Sequence, residues 1–291
     1  MTADTAAPIV VGVDNSDDGM RAVEWATGEA ALRDRTLRIV HALGRPTVVT
    51  GGPSGSARLS RARALLTEAQ RVAGKAAPDV EAVPVLVVGP AAAALHDQSR
   101  GATMVVLGGR GAGGYAGLLV GSVALRVAEH AAAPVVVVRG QGAESGPVVV
   151  GVDASPLASQ ALDFALREAS LRGTDLVAVH AWTNLAAAGL DDALPTREES
   201  WAVADRAQRM LAEALAGAAE HFPDVKIRRC AAEESPRQLL VSWSRTAQLV
   251  VVGAHGYGNV AGLLLGSVSR YLVHRASCPV AVVRPDFLET S

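Results

Sequence analysis

The sequence predicts an α/β protein of two tandem, doubly wound parallel-sheet domains. Three observations carry that reading. The chain has 291 residues, about twice the ~150 of an ordinary domain. Short β-branched runs alternate with segments of helical periodicity, the pattern of a parallel sheet covered by helices on both faces. The pattern is also written twice. Pro8-Ile-Val-Val-Gly-Val-Asp14 returns as Pro147-Val-Val-Val-Gly-Val-Asp153, and Leu37-Arg-Ile-Val-His-Ala42 as Leu176-Val-Ala-Val-His-Ala181, both 139 residues on. Later matches, Pro78-Asp-Val80 with Pro223-Asp-Val225 and Gly121-Ser122 with Gly266-Ser267, lie 145 apart. The second copy therefore carries an insertion between its second strand and Pro223. The expected domains are 1–140 and 147–291, and the aperiodic Gly140-Gln-Gly-Ala-Glu-Ser-Gly146 reads as the linker between them.

Each element follows from local chemistry. Ile9 to Val13 is a buried strand. Asp14-Asn-Ser16 supplies a turn and an N-cap for a helix over Asp17 to Arg33. The matching helix in the second copy starts at Pro156, with Leu162, Ala165, Leu166 and Ala169 on one face. Leu37 to Ala42 is strand two. Leu59, Ala62, Leu65, Leu66, Ala69 and Val72 then mark a helix over Ala57 to Ala76. Its counterpart begins at Thr196, where Thr196-Arg-Glu-Glu199 fits a capping box. Val80 to Val88 is strand three, Pro90 to Ser99 a short helix, and Thr103 to Leu107 strand four. A glycine-rich loop leads into a helix over Ser122 to Ala131, and Val135 to Val138 is strand five. Right-handed crossovers join such strands, and ligands on such sheets sit beyond the carboxyl ends of the strands.

Composition narrows the function. Apolar residues are 49%, charged residues 19% and the formal net charge is −2. A sequence pI near 6.4 is wrong for a polyanion-binding protein. Aromatic residues are only 3%, too few for base stacking along a single strand. Mean hydropathy is +0.25, but no apolar run reaches the ~18 residues of a spanning helix, and Met1-Thr-Ala-Asp-Thr5 does not read as a signal peptide. No nucleic-acid or membrane partner is expected, and the expected compartment is the cytoplasm. The two cysteines, Cys230 and Cys278, lack metal-ligand spacing and read as reduced thiols.

The chemistry-bearing residues fall after strands one and four. An aspartate follows strand one in both copies, Asp14 and Asp153. After strand four the copies share Gly-x2-Gly-x9-Gly-Ser: Gly108, Gly111, Gly121 and Ser122 against Gly253, Gly256, Gly266 and Ser267. Glycines let backbone approach a ligand closely, and successive loop amides can form an anion-holding nest. The final Gly-Ser opens a helix whose unpaired N–H groups and dipole favour phosphate. There is no Walker A sequence, and Gly109, Gly111 and Gly114 match a dinucleotide fingerprint in the wrong place and in one copy only. The loops differ, at Arg110 against Ala254 and His255, and at Ala112 against Tyr257. His41 and His180 close strand two in both copies; without a partner of matching spacing they read as hydrogen-bonded rather than catalytic.

The aspartate after strand one, the His-Ala that ends strand two and the glycine pattern together resemble the ATP-binding branch of the universal stress protein family, over nearly the whole chain. The resemblance implies a Rossmann-like five-stranded sheet in order 3-2-1-4-5, with ATP across the tips of strands one, two and four. It implies that Gly12 and Asp14 flank the adenosine, that the Ala42 backbone lies by the adenine, that Gly108 and Gly111 line the loop, and that Gly121, Ser122 and Val123 meet ribose and phosphates. In the second copy the same roles fall to Gly151, Asp153, Ala181, Gly253, Gly256, Gly266, Ser267 and Val268. It also implies two ATP per chain, with Mg2+ or Mn2+ on the phosphates, and a role in stress survival or growth arrest; family members pair through strand five, so the two domains of one chain are expected to pair with each other and two chains to assemble as a homodimer. No catalytic residue and no protein-built metal site is assigned. Phosphoryl transfer needs placed cations and a residue that orients the nucleophile, and Arg110 is unmatched between the loops. The expected function is therefore regulatory ATP binding with little or no hydrolysis. A slow ATPase on the same fold and a scaffold that uses nucleotide as a folding cofactor are the alternatives.

Overall fold

The computed structural model describes residues 7–44, 55–111, 120–140, 143, 145–153, 155, 158–182, 197–256 and 265–284, with side chains of 197–200 excepted. The chain divides into two compact units, with the break between Arg139 and Gly140.

In the first unit the order is β1 (Ile9–Gly12), α1 (Asp17–Leu32), β2 (Leu37–Leu43), α2 (Gly55–Ala76), β3 (Ala82–Val88), α3 (Ala91–Ser99), β4 (Met104–Gly108), α4 (Ser122–His130) and β5 (Val135–Val138). All pairings are parallel, β3 with β2, β2 with β1, β1 with β4 and β4 with β5, so the strand order is 3-2-1-4-5. Helices α1 and α2 pack on each other and on the strands, as do α3 and α4. The central strands are buried on both faces: Ile9, Val10 and Val11 of β1 and Met104, Val105 and Val106 of β4 have no exposed surface. This is why they read as unbroken apolar runs. β3 differs. Among the described residues it pairs only with β2; it carries Pro84 in mid-strand and leaves Val88 71% exposed, and proline is tolerated where no ladder bond is needed.

The second unit repeats the plan: β6 (Val148–Gly151), α5 (Ala158–Leu171), β7 (Leu176–Trp182), α6 (Arg197–Ala214), α7 (Ala218–His221), β8 (Ile227–Glu233), α8 (Pro236–Trp243), β9 (Leu249–Gly253), α9 (Ser267–Arg275) and β10 (Val280–Val283). Its strands pair in parallel as 8-7-6-9-10, the same order. The sequence reads one long helix after β7. The structure breaks it, because Gly217 adopts φ +79° between α6 and α7. Gly217 stands where the first copy has Val72, within the unbroken α2, and a β-branched residue resists that left-handed conformation. Pro156 and Thr196, the expected helix starts, lie outside the described residues.

Small polar devices recur. Ser99, at the end of α3, donates to His96 O and accepts from Ala132 N at 2.8 Å, so α3 is tied to the turn before β5. Ser244 does the same with Val241 O and Ser277 N in the second unit. Glu29 pairs with Arg33, and Glu168 with Arg172, one helical turn apart in α1 and α5. The segment read as a linker packs on the second unit, where Ala143 N donates to Ala247 O at 3.2 Å.

Candidate functional site

Both units carry a cavity at the carboxyl ends of their strands, as the doubly wound topology requires. The first, about 700 Å³, brings together Gly12, Asp14, Ala42, Gly108, Gly111, Gly121, Ser122 and Val123. The second, about 350 Å³, brings together Gly151, Asp153, Ala181, Gly253, Gly256, Gly266, Ser267 and Val268. All sixteen residues singled out from the sequence therefore line one cavity or the other.

The aspartate is placed by the turn that follows strand one. Ser16 donates its backbone N–H (3.2 Å) and its hydroxyl to Asp14 Oδ1, while its own Oγ accepts from Gly19 N at 3.0 Å and caps α1. Ser155 makes the same two bonds to Asp153. The second carboxylate oxygen turns toward the loop after strand four. A Cβ on Gly111 would stand 2.7 Å from Asp14 Oδ2, and one on Gly256 2.5 Å from Asp153 Oδ2. Any side chain at these two glycines would displace the carboxylate.

Strand two is fastened to strand one by its histidine. His41 Nδ1 donates to Val13 O at 2.9 Å, and His180 Nδ1 to Val152 O at 2.8 Å. These histidines hold the strand tips beside Ala42 and Ala181. In the second unit the His180 ring also stacks on Trp182, centroids 6.2 Å apart.

Two of the cavity glycines, Gly108 of the pattern and Gly12 of β1, serve packing as well as any ligand. A Cβ on Gly108 would meet the Asp18 carbonyl carbon and oxygen at 2.6 Å and Gly19 N at 2.8 Å, so the start of α1 rests directly on Gly108. A Cβ on Gly12 would meet Leu107 at 2.5 Å and Leu95 at 3.0 Å, the apolar floor of the cavity. Leu240 and Val252 play that part against Gly151.

The far wall is a helix start. Gly121 caps α4 and Gly266 caps α9, each with extended backbone and no side-chain cap. Gly121 N donates to Gly109 O at 2.9 Å, and Gly266 N to Ala254 O at 2.7 Å, so each loop is tied to the helix it precedes. The first-turn amides of a helix have no partner within it. A glycine cap leaves them to a ligand, and the helix dipole favours an anion there by roughly 0.3–1 kcal/mol at an exposed site.

Sequence reasoning missed the acidic side of the first cavity. Asp17, Asp18 and Arg21 line it together with Arg110. Comparison of the two copies hides Asp17 and Asp18, because Pro156 and Leu157 stand at the matching positions. The loop register also needs correction. With Gly108 set on Gly253, Arg110 falls opposite His255, and it is Gly109 that falls opposite Ala254. Ala112 and Tyr257 lie outside the described residues. Among the described residues no group of three or more His, Cys, Asp and Glu is placed to hold a metal ion, and no helix is long and apolar enough to cross a membrane.

The model of the universal stress protein family matches residues 6–139 and again 145–284. A universal stress protein of Mycolicibacterium smegmatis is 39% identical over 290 residues, which are 95% of this chain and 97% of that one. The crystal structure of a universal stress protein from Archaeoglobus fulgidus shares the fold over 96% of this chain and 97% of its own, with TM-score 0.71 and 18% identity. A further Archaeoglobus fulgidus universal stress protein, solved in complex with dAMP, is 28% identical and covers 46% of this chain and 98% of its own, with TM-score 0.37. Two family matches end to end, on two units with the same strand order and the same cavity, lead to one conclusion: the chain belongs to the universal stress protein family, as a tandem pair of its domains.

Proposed function

We propose that the chain is an ATP-binding regulator of stress survival and growth arrest that holds one nucleotide in each unit and hydrolyses it slowly or not at all. The observation that carries this reading is the glycine-capped start of α4 and of α9, each facing the same cavity as the aspartate of its unit. The helix amides, with Ser122 or Ser267, suit phosphates. Asp14 or Asp153, with an oxygen toward the cavity, suits a ribose hydroxyl. The backbone at Ala42 or Ala181, beside the apolar floor, suits the adenine. Mg2+ or Mn2+ would travel on the phosphates. Among the described residues no lysine lines either cavity and no arginine lines the second, which is poor equipment for neutralising a phosphoryl transition state. The proposed setting is the cytoplasm and the proposed assembly a homodimer.

The test begins with purified chain. Protein is denatured, the released nucleotide is identified by chromatography, and ATP is titrated calorimetrically into nucleotide-free chain. Two ATP per chain and no appreciable turnover over hours are expected. No heat at millimolar ATP would end the nucleotide reading, and rapid release of phosphate would end the regulatory one. Light scattering with and without ATP tests the dimer.

A further inference from the structure

The two cavities share a plan but not a charge pattern. In the first, Asp18 is only 8% exposed and gathers three donors. Its Oδ2 accepts from the backbone N–H of Arg110 at 2.9 Å and from Arg110 Nε at 3.2 Å, and its Oδ1 takes Arg21. Ser16 Oγ, whose one proton points to Asp14, also lies 3.2 Å from Arg110 O. The first turn of α1 thus grips both the main chain and the side chain of one loop residue.

That grip leaves Arg110 half used. Guanidinium carries five N–H donors in a rigid fork, and only Nε is engaged. Its two terminal nitrogens have no partner among the described residues, and the side chain is 64% exposed at the cavity wall. The neighbours of Arg110 in the chain touch the start of α4: Gly109 O accepts from Gly121 N, and Gly111 N lies 3.5 Å from a Cβ placed on Gly121. A planar cation is therefore fixed at one end by a buried carboxylate, beside helix amides that suit an anion. Such a cation forms directional, charge-assisted bonds to phosphate oxygens. The second unit has neither part of the device, since leucine (Leu157) and His255 stand at the two positions.

We infer that Arg110, aimed by Asp18, makes the first site select nucleotides by their phosphate charge, and that the second site lacks this selection. Arg110 is a specificity-determining residue, and Asp18 is a positioning residue that acts through it. The inference rests on the nucleotide reading above and names what distinguishes one site from the other.

Calorimetric titration of the full chain with ATP, and separately with adenosine, tests it. Arg110→Ala keeps the backbone N–H that Asp18 holds and removes only the guanidinium. It is expected to weaken ATP at one of the two sites about tenfold, the equivalent of ~1.4 kcal/mol. Adenosine at both sites, and ATP at the other, should stay within about twofold. Asp18→Leu copies the residue of the second repeat and is expected to reproduce the loss for ATP, whereas Asp18→Asn, which keeps an acceptor for the loop amide, should recover part of it. Equal losses of ATP and adenosine would mark a purely structural role and overturn the inference. Unchanged ATP binding in Arg110→Ala would overturn it too. Absence of any nucleotide binding by the unaltered chain would instead bring down the nucleotide reading, and the inference with it.

Discussion

Replacing Gly108 by alanine tests whether the glycine pattern serves packing as well as ligand binding. The added Cβ would lie 2.6 Å from the carbonyl carbon and oxygen of Asp18 and 2.8 Å from Gly19 N. All three atoms are backbone, so no rotamer change relieves the contact. Either the first turn of α1 or the end of β4 must retreat by most of an ångström. β4 is held on both sides by parallel neighbours, so α1 is the element that moves. Overpacking of this kind costs about 1–3 kcal/mol, and for a unit of this size each kcal/mol lowers the melting temperature by roughly 2–4 °C. Gly28→Ala is the control. Gly28 lies inside α1 with nothing within 4 Å of its would-be Cβ, and alanine there should stabilise by about 0.5–1 kcal/mol on helix propensity and chain entropy. Thermal unfolding followed by circular dichroism reads both. Because α1 carries the Ser16 cap and Asp18, Gly108→Ala should also weaken nucleotide binding in the first unit. A melting temperature for Gly108→Ala equal to or above that of the unaltered chain would refute the packing argument.

Three further outcomes follow from the same contacts. Ser99→Ala and Ser244→Ala each remove a buried hydroxyl that bridges an N–H and a carbonyl; each should cost about 0.5–1.5 kcal/mol by denaturant titration, the two adding because they lie in different units. Cys278 is fully buried and burial pushes its thiol up to about 12 from 9.0. The unfolded chain therefore loses that proton first, and the group's contribution to stability is intact below pH 9 and is lost as pH rises from 9 toward 12. Cys278→Ala should flatten that alkaline decline, and in the native chain a thiol reagent at pH 8 should modify Cys230, which is partly exposed, well before Cys278. Among the described residues Gly121→Ala puts a Cβ no nearer than 3.5 Å to its neighbours, whereas Gly266→Ala brings one to 3.2 Å from Ala254 O; the second variant should melt lower than the first, and titration with ATP will show whether the two sites lose affinity equally.

Much of this protein is local in origin. Strands buried on both faces write themselves as β-branched runs, so the sequence alone marks β5 at Val135–Val138, the bounds the structure has. The duplication was visible because the same strand, turn and glycine pattern had to recur for the same fold to form twice. The residues around both cavities were legible for the same reason: a doubly wound sheet leaves ligands only at the strand tips, and there the chain repeats itself. What the repeat does not share was invisible to comparison of its halves. Asp18 reads as an ordinary first-turn acid, and only folding brings it across to Arg110, a loop residue 92 positions away. Gly108 looks like a ligand glycine, and only the docking of α1 shows that backbone presses on it. The break at Gly217 and the exposed face of β3 have the same character, since each depends on what packs beside the segment. Periodicity and turn chemistry are written along the chain, whereas close approaches between distant segments exist only once the sheet has assembled.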